Sequence, residues 1–340
     1  MRRSRRPDGP RAFSALVAVA LAVTVDCARP PPPPPRTILR LTGTRLMEAF
    51  AGEYASAFPT VDVQLSSAAN PLAAVDAIER GEADVGVSFA DAVYFAHNRS
   101  DQPSDPAKRL RAISALNVAP LILIVSAQSG VRTVADLRGR TVRLSGGSRN
   151  DPRFGSGVQF PLGATGGATT DVTALSHLVL AAYGVDPASV RDKAPLPQSA
   201  ALAQLRDGQL EAMFTTIYDS AEAVASVVQD GARMIPLEGP PVDRLRREYA
   251  FVRPVAIPAG TYPRQTTTFR TVGVDLVLIC RRDLTDQVVH DVTKVFFAAL
   301  PRLSATQPSL RLVDLEQAPA TPIPLHDGAA RYYRERELLR

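Results

Sequence analysis

Three short stretches of this chain set hydroxyl side chains and glycines where a β-branched run gives way to a helical one. They are Thr42-Gly43-Thr44-Arg45, Ser66-Ser67-Ala68-Ala69-Asn70 and Gly166-Gly167-Ala168-Thr169-Thr170-Asp171. In α/β proteins ligands bind at the carboxyl ends of strands. There the unpaired N–H groups of a helix start, joined by hydroxyl donors, suit an anionic group such as a carboxylate. Arg45 could add a bidentate guanidinium, although a solvated Arg on a helix surface reads the same way. Phe89 and Asp91 close a third strand, the ring as pocket floor or core side chain and the acid as cap of the next helix. Tyr218 and Asp219 stand in the same relation to the strand FTTI. Ordinary turn and cap chemistry explains each stretch singly; their coincidence points to a binding site. The candidate contacts are Thr42, Gly43, Thr44, Arg45, Ser66, Ser67, Phe89, Thr169, Thr170 and Tyr218.

Catalytic patterns are thin by comparison. Gly155-Ser156-Gly157 lies in a Pro- and Gly-rich loop, without the spacing or the preceding strand of a nucleophile elbow. The only lysines are Lys108, Lys193 and Lys294, and none follows a glycine loop of the phosphate-binding kind. His97, His177, His290 and His326 are too far apart in sequence to form a zinc motif. Glu82 and Asp84 flank a helix-to-strand turn, where acids are usually solvated. The residues therefore ask for a binder, with no cofactor and no metal.

The elements that position these residues alternate. Residues 37–43 and 61–67 read as strands, with an amphipathic helix over 45–58 between them; a helix over 72–81 leads to a third strand over 83–90. This β-α-β-α-β order predicts a parallel α/β sheet. LRAISAL and APLILIVSA within 110–127 read as central strands, followed by a short helix and a strand over 129–146. A helix over 170–184 has Thr169, Thr170 or Asp171 as its expected cap. Residues 194–217 give a helix, a turn and a strand, 233–237 a strand and 242–249 a helix. A Pro-punctuated stretch over 254–263 leads into the strand TVGVDLVLIC, and helices follow over 286–300 and at the C-terminus.

The chain has 340 residues, 45% hydrophobic and 21% charged, which is ordinary globular composition with room for two cored lobes. Much of its net charge of +5 lies in Arg2, Arg3, Arg5, Arg6 and Arg11, so the body carries no basic footprint for nucleic acid. Behind those arginines, Phe13 to Val25 is an apolar run suited to a signal-peptide core and short for a membrane span. The alternative is a short anchor that stays attached. Cys27 follows where an acylated cysteine would stand, although Thr24-Val25-Asp26 fits that processing poorly, and Pro30 to Pro35 make a stiff polyproline spacer. Cys280, the only other cysteine, ends an apolar run and is expected to be a buried thiol.

Five collinear segments carry a family resemblance: AIERGEADVGVSFADAVYFAHN, LRAISALNVAPLILIVSAQSGVRTVADLRGRTVRL, ALAQLRDGQLEAMF, IPAGTYPRQTTTFRTVGVDLVL and PIPLHDGAARYYRE. Together they resemble the TAXI family of solute receptors of TRAP-type transporters, over nearly all of the chain beyond the leader. The resemblance implies a two-lobed periplasmic-binding-protein fold, type II-like, with mixed, mostly parallel sheets and a hinge of crossing strands. It also implies capture of a small organic anion, a carboxylate or amino-acid-like solute, for a TRAP-type permease, by a monomer in the periplasm or on the outer face of the inner membrane. A receptor reporting to a membrane kinase is the alternative role. The expected organisation is a signal peptide over 1–28, a linker over 29–36, lobe 1 over 37–127, lobe 2 over 128–252, and a return to lobe 1 over 253–340. Departures from the family fall in the ligand loops. Ala69, Asn70, Pro71 and Ala74 replace a Gly-Gly-Ser and Asn pattern, and Phe89 replaces a frequent Gln. An extra loop spans 147–166, and Thr216-Ile217-Tyr218-Asp219 replaces a Gly- and Pro-bearing turn. A less polar carboxylate, or another solute, fits this altered cleft.

Overall fold

A computed structural model describes residues 37–43, 45–68, 71–98, 104, 106–144, 174–193, 196–216 and 221–339. The leader, the proline linker and the 147–166 loop of the sequence reading lie outside the described residues.

The first strands and helices form where the periodicity places them. Strand β1 (Thr37–Gly43) leads to helix α1 (Arg45–Ala57), β2 (Val61–Ser67), α2 (Pro71–Glu79), β3 (Val85–Phe89) and α3 (Ala90–Asn98). β1 pairs in parallel with β2 on one side and β3 on the other, as the alternating order requires. Leu46, Met47, Phe50 and Tyr54, at helical spacing on α1, are all buried. Gly43 has to be glycine where the chain turns from β1 into α1, because a Cβ there would stand 2.4 Å from Met47 Cγ. Asp84 corrects the expectation of a solvated acid. It is 3% exposed and joins three strands at the end opposite the candidate site, accepting from Arg40 N and Nη2 at 2.8 Å and pairing with Arg281 Nη1 at 3.3 Å.

Two long strands carry the sheet onward. β4 (Leu110–Val125) is continuous through the stretch read as two strands, and β10 (Phe269–Arg281) lies antiparallel to it. Their ladder shifts register between Asp275 and Val277, where Leu116 and Asn117 form a bulge. On one side of that bulge β10 pairs with β3 through Leu276–Cys280. On the other side it pairs with β9 (Val252–Ile257) through Phe269–Val274. β10 therefore changes neighbour at Asp275, from β9 to β3.

The second lobe is built on β5 (Thr141–Arg143), β6 (Arg191–Asp192), β7 (Ala212–Thr216) and β8 (Arg233–Ile235), around α4 (Leu175–Ala182), α5 (Gln198–Arg206), α6 (Ala221–Gln229) and α7 (Pro240–Glu248). The whole sheet runs β2-β1-β3-β10-β4-β7-β5-β6, with β8 and β9 attached to β4 and β10. Pairs within β2-β1-β3 and β7-β5-β6 are parallel, and each antiparallel pair among the described strands involves β4 or β10. Alternation along β4 puts Leu121, Leu123 and Val125 in the larger core with α4 and α7, and Ile122 and Ile124 against α5 and α6.

α8 (Asp286–Thr306) and α9 (Asp327–Arg334) close the first lobe. The tail motif is a packing device. His326 Nδ1 caps α9 by accepting from Gly328 N at 3.1 Å, and a Cβ on Gly328 would stand 2.2 Å from Asp286 O of α8. Tyr333 Oη donates to Ile113 O at 2.9 Å, tying α9 to β4. Cys280 is a free buried thiol, as expected, and burial pushes its pKa up.

Candidate functional site: the strand-end cleft between the lobes

The carboxyl ends of β1, β2 and β3 lie side by side in the sheet and carry the first two candidate stretches. Thr42 is 2% exposed, its methyl packed beside Gly86, where an added Cβ would come within 3.0 Å of Thr42 Cγ2. Gly43 O accepts from Ala68 N at 3.0 Å, which fixes the turn after β2 against the turn after β1. Ser66 and Ser67 are exposed, and Ser66 Oγ donates to Leu41 O at 3.2 Å. Phe89 pairs across the ladder with Leu276 and is 1% exposed, which makes it a core side chain beneath the cleft, with no open ring face. Arg45 is the first residue of α1, and its side chain is not among the described ones. Thr44, Thr169, Thr170, Tyr218 and Cys27 lie outside the described residues.

Between the lobes the structure brings in residues the sequence reading weighed differently. Asp91, in the first turn of α3, is fully buried. Its Oδ1 accepts from Ala92 N at 2.9 Å, and its Oδ2 accepts from Ala174 N at 2.6 Å. Ala174 is the N-cap of α4, in the other lobe. The residues expected to cap this helix, Thr169, Thr170 and Asp171, lie outside the described residues, and Ala174 N, just before the first residue of α4, is held by Asp91. One turn on, Tyr94 and Phe95 meet Tyr249 and Phe251 of the second lobe, with the Tyr94–Phe251 ring centroids 5.1 Å apart and the Phe95–Tyr249 centroids 5.8 Å apart. The lobes are therefore in contact along α3.

Three further polar groups are buried on β4, β5 and β7. Asn117, in the bulge of β4, is 5% exposed and its Oδ1 has no hydrogen-bond partner; Thr216 Oγ1, at the end of β7, is likewise buried and unpartnered. Unmade hydrogen bonds of buried polar atoms are costly, and a bound solute or water relieves them. Arg143, at the end of β5, is 2% exposed; its Nε donates to Leu196 O at 2.7 Å and its Nη1 to Phe214 O at 3.2 Å, which locks three segments of the second lobe together. The sequence signal for Asn117 was present, since it interrupts an apolar run. A groove of 570 Å³ between α4 and α7, lined by Leu178, Tyr183, Arg244 and Tyr249 among others, includes the C-terminal half of α4 and not its Asp91-capped start.

The arrangement can grip a small polar molecule between strand ends and helix starts of two lobes, with main-chain and hydroxyl groups as donors. The chain matches the NMT1-like family over residues 42–336. A solved structure of XAC2383 from Xanthomonas citri, bound to ATP, shares its fold with a TM-score of 0.53 at 11% identity, over 89% of this chain and 100% of that one. The alkanesulfonate-binding protein SsuA from Xanthomonas axonopodis pv. citri, bound to MOPS, matches at 0.46 and 14% identity, over 89% of this chain and 94% of the other. PhnD1 from Prochlorococcus marinus, in complex with methylphosphonate, matches at 0.48 and 12% identity, over 81% and 88%. The fold is the two-lobed α/β periplasmic-binding-protein fold. The chain belongs to the NMT1-like family.

Proposed function

We propose that this protein is an extracytoplasmic solute-binding protein that captures a small organic acid, a carboxylate in the first instance, and delivers it to a membrane permease of the TRAP type. The observation that carries this reading is the pair of lobes joined by β4 and β10, meeting over strand ends that bear hydroxyls, helix starts and two buried polar atoms in want of partners. Binding works by closure. A solute contacting both lobes stabilises the closed arrangement by its differential contacts, with no covalent step. Export follows from the basic and apolar leader, and Cys27 with its proline spacer would tether the body to the membrane. Among the described residues no helix is long and apolar enough to cross a bilayer.

In this reading Thr42, Thr44, Ser66, Ser67, Thr170 and Tyr218 contact the solute directly, over a floor of Phe89, and Asn117 and Thr216 join them. Calorimetric titration of the protein with dicarboxylates, 2-oxoacids, amino acids, sulfonates and phosphonates tests it. One class should bind, with the affinity falling roughly tenfold or more for Thr44→Val and Thr170→Val, the cost of about one lost hydrogen bond to a charged group each. Unchanged affinity in both variants would remove these residues from the site.

A further inference from the structure

We propose that Asp91 is the clasp of the cleft: a carboxylate carried by the first lobe that caps α4 of the second and holds the lobes together. Ala174 stands immediately before Leu175, the first residue of α4, where the N–H groups of a helix start need acceptors. Asp91 Oδ2 meets Ala174 N at 2.6 Å, at the short end of charge-assisted hydrogen bonds, and Oδ1 holds Ala92 N at 2.9 Å. One carboxylate thus serves helix starts in two lobes. The residues bonded are 83 positions apart in the chain and the group is fully buried, so the bond ties α3 to the start of α4 over a long stretch of chain. The rings of Tyr94 and Phe95 on Phe251 and Tyr249 lie on the same helix and the same junction.

Two consequences follow. The positive end of α4, which would suit an anion, is taken by the protein's own acid, so a solute's acid group is read elsewhere in the cleft. Closure is also favoured before any solute arrives, which reduces the differential affinity a solute must supply to complete it. The proposal concerns the lobes alone. A solute screen without a hit leaves it standing, and its failure leaves the solute reading standing.

The test uses the full chain without added solute, as wild type, Asp91→Ala and Asp91→Asn, with small-angle scattering for lobe separation and amide hydrogen exchange for α4. Asp91→Ala should enlarge the radius of gyration and speed exchange at the start of α4 roughly fivefold to tenfold, as loss of a helix cap does. Asp91→Asn keeps an acceptor oxygen without the charge and should fall between. Wild-type radius in Asp91→Ala overturns the proposal, even where exchange at α4 is faster, because Asp91 would then be a local cap only. Should Asp91→Ala fail to fold, Asp91→Asn decides, and a wild-type radius there counts against the clasp.

Discussion

Asp275 is the one charge in the run TVGVDLVLIC, and the structure gives that interruption a place: the point on β10 where pairing with β9 ends and pairing with β3 begins. It is 7% exposed, with Arg253 Nε 3.6 Å from its Oδ2. Burial pushes its pKa up to about 6, and the Arg253 charge opposes that rise. An acid raised on folding holds a proton that the unfolded chain has already released. Stability therefore falls as pH rises from about 4 to about 6 and is flat above, the whole effect being at most about 3 kcal/mol. Asp275→Asn should raise the thermal midpoint above pH 6 and flatten its dependence between pH 4 and 6, read by calorimetry across that range. A variant less stable than wild type at pH 7.5 would show that the Arg253 pair outweighs the burial. At this scale the sequence marked the odd residue but not its environment, since only pairing across a ladder says what an acid in a strand faces. Glu82 and Asp84 make the same point: two neighbouring acids, one exposed and one at 3% exposure binding Arg40 and Arg281.

At the scale of elements, apolar periodicity located β1, α1, β2 and α2 to within a residue or two, because each buries one face against its neighbours. It misread places where a polar or imino residue interrupts a pattern that tertiary pairing then completes. Asn117 and Pro120 divide the run over 110–127, yet β4 is one strand, with Asn117 absorbed by a bulge and Pro120 opposite Gly273. Pro254 made 254–263 read as irregular, whereas β9 holds it in an edge strand paired only to β10. The bulge yields a prediction of its own. Replacing a buried carboxamide that has an unpartnered oxygen by an apolar side chain of similar size removes a desolvation cost of about 1 kcal/mol or more. Asn117→Leu should therefore match or exceed wild type in thermal midpoint while weakening capture of the solute at least tenfold. A stable variant with undiminished affinity would take Asn117 out of the binding site.

At the scale of the whole molecule, the two-lobed plan was legible from the alternation of elements and the collinear segments, because the plan follows from which faces must be buried. The junction between the lobes was not. Asp91 reads as the cap of its own helix until its bond to Ala174 N is seen, and no local pattern links positions 83 apart. Nor does any local pattern show that β9 pairs with the first half of β10. The proposed function turns on a solute, and its most direct measurement is a thermal-shift screen of the full chain, shown free of carried-over ligand, against carboxylates, amino acids, sulfonates and phosphonates. The account predicts that one class, carboxylates first, raises the thermal midpoint in a concentration-dependent way, since ligand at a hundred times its dissociation constant stabilises by about 2.7 kcal/mol. No shift with any of these classes at millimolar concentration would contradict it.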